Sequence, residues 1–287
     1  MPAQESSKKC SRIPKWLRVR LPESDVFART KGLLRDLGLH TVCQSARCPN
    51  IFECFSRGVA TFLILGNSCT RACAFCNIGP GRPEPVDRDE PGKVAEAARR
   101  LDLKHVVVTS VTRDDLYDGG AGHFADVTAS IRQALPGAGV ELLIPDFQGS
   151  EDALRTVMDA GPDIINHNLE TVPELYGRIR PQADYEQSLE LIRRVGEAGF
   201  RSKSGLMLGL GETETQVLRV LDDLAGAGCE IVTIGQYMRP SKKHPEVARY
   251  VEPEGFDALA EYGRKKGIAF MHCAPLVRSS YHAARFA

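Results

Sequence analysis

Six of the chain's nine cysteines fall between Cys43 and Cys76 and form two groups of three, spaced C-x4-C-x5-C (Cys43, Cys48, Cys54) and C-x3-C-x2-C (Cys69, Cys73, Cys76). Clustered cysteines in a long chain bind metal or do chemistry more often than they form disulfides, and Met1 to Arg12 carry no apolar leader that would argue otherwise. Three thiolates at such spacings can take three irons of a [4Fe–4S] cube and leave the fourth without a protein ligand, open to a substrate. Zinc is the alternative, although structural zinc asks for four closed ligands and neither run has an evident fourth Cys or His nearby. Two compact triads separated by a candidate strand fit two clusters; one site with spare thiols is the competing arrangement. Cys10, Cys229 and Cys273 lie apart and read as buried or incidental thiols.

The elements that must position these groups show in the hydrophobic rhythm. Ser24 to Gly38 reads as a short helix with Ser24 as its cap, leading into the first triad. From Thr61 onward, short branched apolar runs alternate with stretches of helical period. The strand candidates are 61–65, 105–109, 141–144, 163–166, 202–206, 231–234 and 268–271, and the helix candidates 92–101, 122–135, 150–159, 183–198, 213–225 and 253–266. This alternation predicts parallel strands joined by right-handed crossovers. Six or seven units suit a partial (β/α)6-type TIM barrel better than a complete eight-fold one, which takes about 250 residues for the barrel alone. An open doubly wound sheet is the runner-up. We divide the chain into an N-terminal extension with the first triad (1–58), the barrel (59–272) and a C-terminal segment (273–287).

In either architecture, polar residues just past strand carboxyl ends face the site. That rule selects Thr109 and Ser110, then Asn166, His167, Asn168 and Glu170, then Lys203, and then Gln236 and Arg239. His167 reads as a structural histidine. Gly205, Gly209 and Gly211 would allow close backbone approach to a ligand. Arg113, Asp114 and Asp115 read as a solvated loop or as part of the site's mouth.

Composition narrows the functions. The chain has 287 residues, 43% of them hydrophobic, enough to bury a sizeable core. With 37 basic and 37 acidic residues the formal charge is zero, so no bulk field favours nucleic acid or an anionic membrane. The longest apolar runs, such as Ala60–Leu65, fall far short of the roughly 20 residues that span a bilayer. We expect a cytoplasmic protein with neither nucleic-acid nor membrane partners.

The C-x3-C-x2-C run, with Phe75 before its last cysteine, resembles the radical S-adenosylmethionine superfamily, and its pairing with the earlier C-x4-C-x5-C resembles the lipoyl synthases within it. Further matching stretches are Ala60-Thr-Phe-Leu-Ile-Leu-Gly66, Val108-Thr-Ser-Val-Thr-Arg-Asp-Asp-Leu116, Asn166-His-Asn-Leu-Glu170, Lys203-Ser-Gly-Leu-Met-Leu-Gly-Leu-Gly-Glu212, Gly235-Gln-Tyr-Met-Arg-Pro-Ser241 and Arg278-Ser-Ser-Tyr281. The resemblance runs from about Trp16 to the carboxyl terminus.

It implies two [4Fe–4S] clusters. The cluster on Cys69, Cys73 and Cys76 would cleave S-adenosylmethionine to a radical. The cluster on Cys43, Cys48 and Cys54 would give up sulfur to carbons 6 and 8 of an octanoyl-lysine group, with Ser280, favoured over Ser279, on its last iron. Asn168, Glu170 and Lys203 become the candidate cofactor contacts. The octanoyl group would ride on the lipoyl domain of a 2-oxoacid dehydrogenase or on a glycine-cleavage H protein, with flavodoxin or ferredoxin supplying electrons. The competing functions are another sulfur-inserting radical enzyme of the biotin synthase kind, a non-catalytic iron–sulfur electron carrier, and a zinc-binding module. An electron carrier would close every iron with cysteine, and the first rival lacks the leading triad and the terminal Arg-Ser-Ser-Tyr.

Overall fold

The structure, a computed structural model, describes residues 13–19 and 25–286. Ser24 and Cys10 lie outside the described residues, as does the Met1–Arg12 stretch. In chain order the elements are α1 (Asp25–Asp36), β1 (His40–Thr41), α2 (Val42–Ser45), α3 (Ile51–Ser56), β2 (Thr61–Ile64), α4 (Glu90–Arg100), β3 (His105–Ser110), α5 (Ala121–Ala134), β4 (Gly139–Leu143), α6 (Glu151–Asp159), β5 (Ile164–Asn166), α7 (Tyr176–Ile179), α8 (Tyr185–Glu197), β6 (Arg201–Leu208), α9 (Glu214–Gly226), β7 (Ile231–Gln236), α10 (Pro253–Lys265) and β8 (Phe270–Cys273).

The strands form one sheet in sequence order, β1 antiparallel to β2 and every later neighbour parallel. It does not close on itself, because β1 and β8 are its two edges. The architecture is therefore a partial barrel, six strand–helix units followed by β8. Both faces of the parallel strands are covered, which is why they read as apolar runs rather than alternations. All six residues of β7 and all four of β2 are buried.

The crossover helices are amphipathic and well started. Ser150 Oγ accepts from Ala153 N at 3.2 Å ahead of α6, which buries Ala153, Leu154 and Val157. Thr213 and Gln216 close a reciprocal capping box on α9. Each such cap stabilises its helix by about 1 kcal/mol, which fixes where the preceding loop stops. Among the described residues no helix is long and apolar enough to cross a membrane.

The N-terminal extension is attached through the sheet. The pairs His40↔Leu63 and Thr41↔Phe62 bring β1 onto β2, and Thr41 Oγ1 then caps α2 by accepting from Gln44 N at 3.3 Å. Phe27 of α1 stacks on Phe52 and packs against Phe55 of α3, and Thr30 Oγ1 donates to Phe55 O at 3.0 Å. Three short elements thus fix the first triad: Cys43 in α2, Cys48 in the following turn and Cys54 in α3.

Candidate active site

At the carboxyl ends of the parallel strands lies a cavity of about 310 Å³. Cys43 and Cys48 stand on its wall from the extension, Cys69, Cys73 and Cys76 from the loop after β2, and Ser279 and Ser280 from the C-terminal segment. Cys54 is tied to the first two by charge. Burial pushes its thiol up to about 12, and Cys43, Cys48 and Glu53 push in the same direction. In the second triad burial pushes Cys76 up to about 12, with Cys73 and Cys69 adding to it. Burial also raises Cys43, to about 11, and Cys73.

Thiols such as Cys43, Cys54 and Cys76, whose ionisation is opposed by burial and by neighbouring cysteines, become stable thiolates beside a cation, and this donor chemistry suits an iron–sulfur cluster. Among the described residues no three His, Cys, Asp or Glu side chains converge on one point as ligands of a single ion. A cube asks for something different, since each thiolate takes a separate iron. Two backbone amides, Thr112 N at 3.3 Å and Arg71 N at 3.4 Å, already aim at Cys69 Sγ, and Ile78 N lies 3.4 Å from Cys76 Sγ. Such donors stabilise thiolate and tune a cluster's potential.

The second triad's loop is held from inside its own spacing. Arg71 points inward and is bidentate to Asp114, at 2.7 and 2.8 Å, and to Asp146, at 2.6 and 2.7 Å. Burial works to raise the Asp146 carboxyl, but Arg71 outweighs it and holds it below the ordinary carboxylate range. Thr70 Oγ1 donates to Thr112 O at 3.0 Å, and Ala74 N to Ile179 O at 2.8 Å. His244 Nε2 lies 3.0 Å from Cys76 O.

Opposite this loop, Asn168 and Glu170 line the cavity as the sequence led us to expect. Asn168 Nδ2 donates to Glu170 Oε1 at 3.0 Å, and its own Oδ1 is buried without a hydrogen-bond partner. Burial raises the Glu170 carboxyl, against the nearby Arg180 charge. Arg180 also faces the cavity; its Nη1 donates to Asn168 O and Leu169 O, both at 3.0 Å, while its buried Nε has no partner. An unpaired amide oxygen, a carboxylate and an unpaired guanidinium N–H thus cluster at one wall, the first and last without exposed surface. That set suits the ammonium and carboxylate of an amino-acid group.

Lys203 needs correction. Its ammonium is wholly buried 2.8 and 3.0 Å from the Glu141 carboxylate and lies 5.1 Å over the Phe286 ring, so it does not reach the cavity. It is the third residue of the eight-residue β6, near the amino end, whereas the cavity opens at the carboxyl end. Arg113, Asp114 and Asp115 are not a solvated loop either. Arg113 is buried and bidentate to Asp115 at 2.9 Å, and Asp114 serves Arg71.

Gln236 ties loops together through Leu208 O, Arg249 O and Val251 N, and Arg239 donates to His244 O. His167 is satisfied at both ring nitrogens, by Ile144 O at 2.9 Å and Ser188 Oγ at 3.1 Å. Gly205 makes room for the Asn168 side chain; a Cβ there would lie 2.7 Å from Oδ1. Gly209 and Gly211, at φ of 102° and 117°, pack against Gln236 and Arg249 and against Arg178, respectively. Cys229 is buried in the barrel wall, and Cys273 sits on β8. Arg71, Asp146 and Arg180 escaped the sequence reading. Only Arg71 carried a signal, being a charge inside the cysteine spacing.

Residues 63–224 match the radical SAM superfamily, and residues 3–48 match the N-terminal domain of lipoyl synthase of that family. The lipoyl synthase of Oleidesulfovibrio alaskensis is 63% identical over 286 residues, covering 100% of this chain and 98% of its own length. The chain belongs to the lipoyl synthase family. A second member, from Nitratidesulfovibrio vulgaris, is 65% identical over 283 residues, 99% of this chain and 95% of the relative.

Among solved structures, Streptococcus suis SuiB bound to S-adenosylmethionine aligns with TM-score 0.59 at 10% identity, over 86% of this chain and 60% of SuiB. Methylornithine synthase (PylB) aligns with TM-score 0.53 at 13% identity, over 87% and 82%. At those identities the likeness speaks for the fold alone. Membership in the lipoyl synthase family makes the chain a sulfur-inserting enzyme of the radical SAM superfamily, which uses a [4Fe–4S] cluster and S-adenosylmethionine. The electron-carrier, zinc-module and biotin synthase readings fall away.

Proposed function

We propose that this lipoyl synthase carries two [4Fe–4S] clusters on one cavity and uses them to place two sulfur atoms at C6 and C8 of an octanoyl-lysine group on a carrier protein. The carrying observation is that Cys43 and Cys48 of one triad, all three cysteines of the other and the terminal serine pair line the same cavity of about 310 Å³, with Cys54 electrostatically coupled to Cys43 and Cys48. Cys69, Cys73 and Cys76 would hold the cluster that takes S-adenosylmethionine; Cys43, Cys48 and Cys54 would hold the one that is the sulfur source. When bound, these groups supply the radical and the sulfide needed to replace an unactivated C–H by C–S, which no side chain can do.

The chain's own residues bind, orient and keep the site dry. Asn168, Glu170 and Arg180 would hold the cofactor's amino-acid group, the carboxylate of Glu170 suiting its ammonium and the guanidinium of Arg180 its carboxylate. Leu63, Val111, Ile144 and Met238 on the wall exclude water from the acyl chain, which must lie between the triads. The fourth corner of the second cluster falls to the serine pair. Ser279 Oγ accepts from Asn168 Nδ2 at 3.3 Å, and Ser280 stands beside it on the wall. Hydroxyl oxygen is a weaker iron ligand than thiolate, which suits a corner that must open. Ser280 is our assigned ligand, to be compared with Ser279 by separate alanine variants.

The carriers are lipoyl domains of 2-oxoacid dehydrogenases or the glycine-cleavage H protein, the electron donor a flavodoxin or ferredoxin, and the setting a reducing cytoplasm. The test is anaerobic reconstitution with dithionite, S-adenosylmethionine and an octanoyl-lysine peptide, read by mass spectrometry. Cys69→Ala should abolish both 5′-deoxyadenosine and thiolated peptide, whereas Cys43→Ala should keep the first and lose the second. Lipoyl peptide from Cys43→Ala would refute the division of labour.

A further inference from the structure

The serine pair belongs to a segment with little secondary structure, so something else must fix its place. Two hydrogen bonds bracket it. Before the pair, Asn50 Nδ2 donates to Leu276 O at 2.7 Å; after it, Tyr281 Oη donates to Glu53 Oε2 at 2.9 Å. His282 Nε2 lies 3.7 Å from the other oxygen of Glu53. Asn50 is the N-cap residue of α3 and Glu53 lies on it, so both anchors belong to the short stretch that carries Cys48 and Cys54. The strand side is tied as well, since Ala274 N donates to Ile234 O and Gln236 N to Pro275 O, at 3.1 and 3.0 Å.

Neither anchor is explained by the family's cysteines or by cofactor binding. Asn50 is buried, and its amide donates to a main-chain carbonyl 226 residues away. A long-range bond of that kind constrains one segment against another instead of capping its own helix. Tyr281 also stacks on His272 of β8, with ring centroids 6.3 Å apart, so the ring is held from the barrel side while its hydroxyl reaches α3.

We propose that Asn50, Glu53 and Tyr281 are positioning residues that clamp the Ser279–Ser280 corner against the Cys43, Cys48 and Cys54 triad and so set how readily the sulfur-donor cluster opens. The inference rests on the second-cluster reading above. With the clamp in place the hydroxyl ligand is pre-positioned, and the oxygen–iron bond costs no ordering of the segment. With one anchor gone, the corner opens more often and the cluster sheds iron.

The experiment isolates each cluster in the full-length chain. In a Cys69→Ala, Cys73→Ala, Cys76→Ala background only the second cluster assembles, and its iron release to an excess of chelator is timed anaerobically. Tyr281→Phe and Asn50→Ala should each speed release about tenfold, the factor carried by one net hydrogen bond. Glu53→Ala should behave like Tyr281→Phe, while Glu53→Gln, which keeps an acceptor, should restore the parent rate. Amide hydrogen exchange over 276–282 in the metal-free protein should quicken in the same variants.

In the mirror background, Cys43→Ala, Cys48→Ala, Cys54→Ala, Tyr281→Phe should leave release from the radical cluster unchanged. Equal acceleration in both backgrounds, or none in the first, overturns the clamp while the second cluster stands. A first background that takes up no iron overturns the second-cluster reading and the clamp together.

Discussion

Arg71 shows how one residue turns a spacing into a site. Its guanidinium is 7% exposed and neutralises two carboxylates from separate loops, so the cysteine loop closes over a fixed anchor. Removing one partner of a buried ion pair leaves the others desolvated and unpaired, at about 3–5 kcal/mol. Arg71→Met should therefore lower the unfolding free energy by that order and abolish iron uptake at Cys69, Cys73 and Cys76, as read by denaturant titration and metal analysis. His167 gives the pH dependence. Burial and the Arg180 charge push its imidazole from 6.5 down to about 4, so the folded protein resists the proton that the unfolded chain accepts. Stability is then full above about 6.5 and is lost as pH falls toward 4. His167→Gln should flatten a plot of Tm against pH across that window, and an unchanged slope would contradict the assignment. Residue by residue, the cysteines were legible because their chemistry lies in local spacing. Arg71–Asp146 was not, because its partners are 75 positions apart, and Lys203 was misread because spacing does not say which end of a strand a side chain serves.

The crossover helices and parallel strands were legible to within a few residues, since each is long enough to show a period. β1, α2 and α3 were not; at 2, 4 and 6 residues they are too short for periodicity and exist through packing on β2 and α1. Yet these three elements place the first triad. Gly235 of β7 marks the matching contact on the other side, for a Cβ there would run into the Val277 carbonyl, with its carbon at 2.9 Å. Gly235→Ala should push the C-terminal segment off β7. Iron at Cys43, Cys48 and Cys54 should then fall while S-adenosylmethionine cleavage at the Cys69, Cys73 and Cys76 site persists, measured by metal content and 5′-deoxyadenosine release. At the barrel's other end, Lys203→Met should cost about 3 kcal/mol by stranding Glu141, yet leave S-adenosylmethionine affinity unchanged in calorimetry. A large loss of affinity would restore Lys203 to the site.

Taken whole, the molecule is a barrel left open so that its two edges can be used. Edge β1 carries in the stretch with one triad, and edge β8 leads into the segment with the serine pair, so the residues flanking the barrel on either side meet at the cavity that the strands build. The segment then runs on to Phe286, whose ring packs on Phe270 and lies under Lys203, closing the barrel's base. Fold class followed from the strand–helix alternation, but the meeting of the two flanking segments is a long-range property that no local pattern encodes. The most direct measurement is iron and sulfide per chain after anaerobic reconstitution. The account predicts about eight irons in the parent and about four in each of the two triple-alanine variants, with cubane spectra throughout. About four irons in the parent, or a variant of either triad that still binds eight, would contradict it.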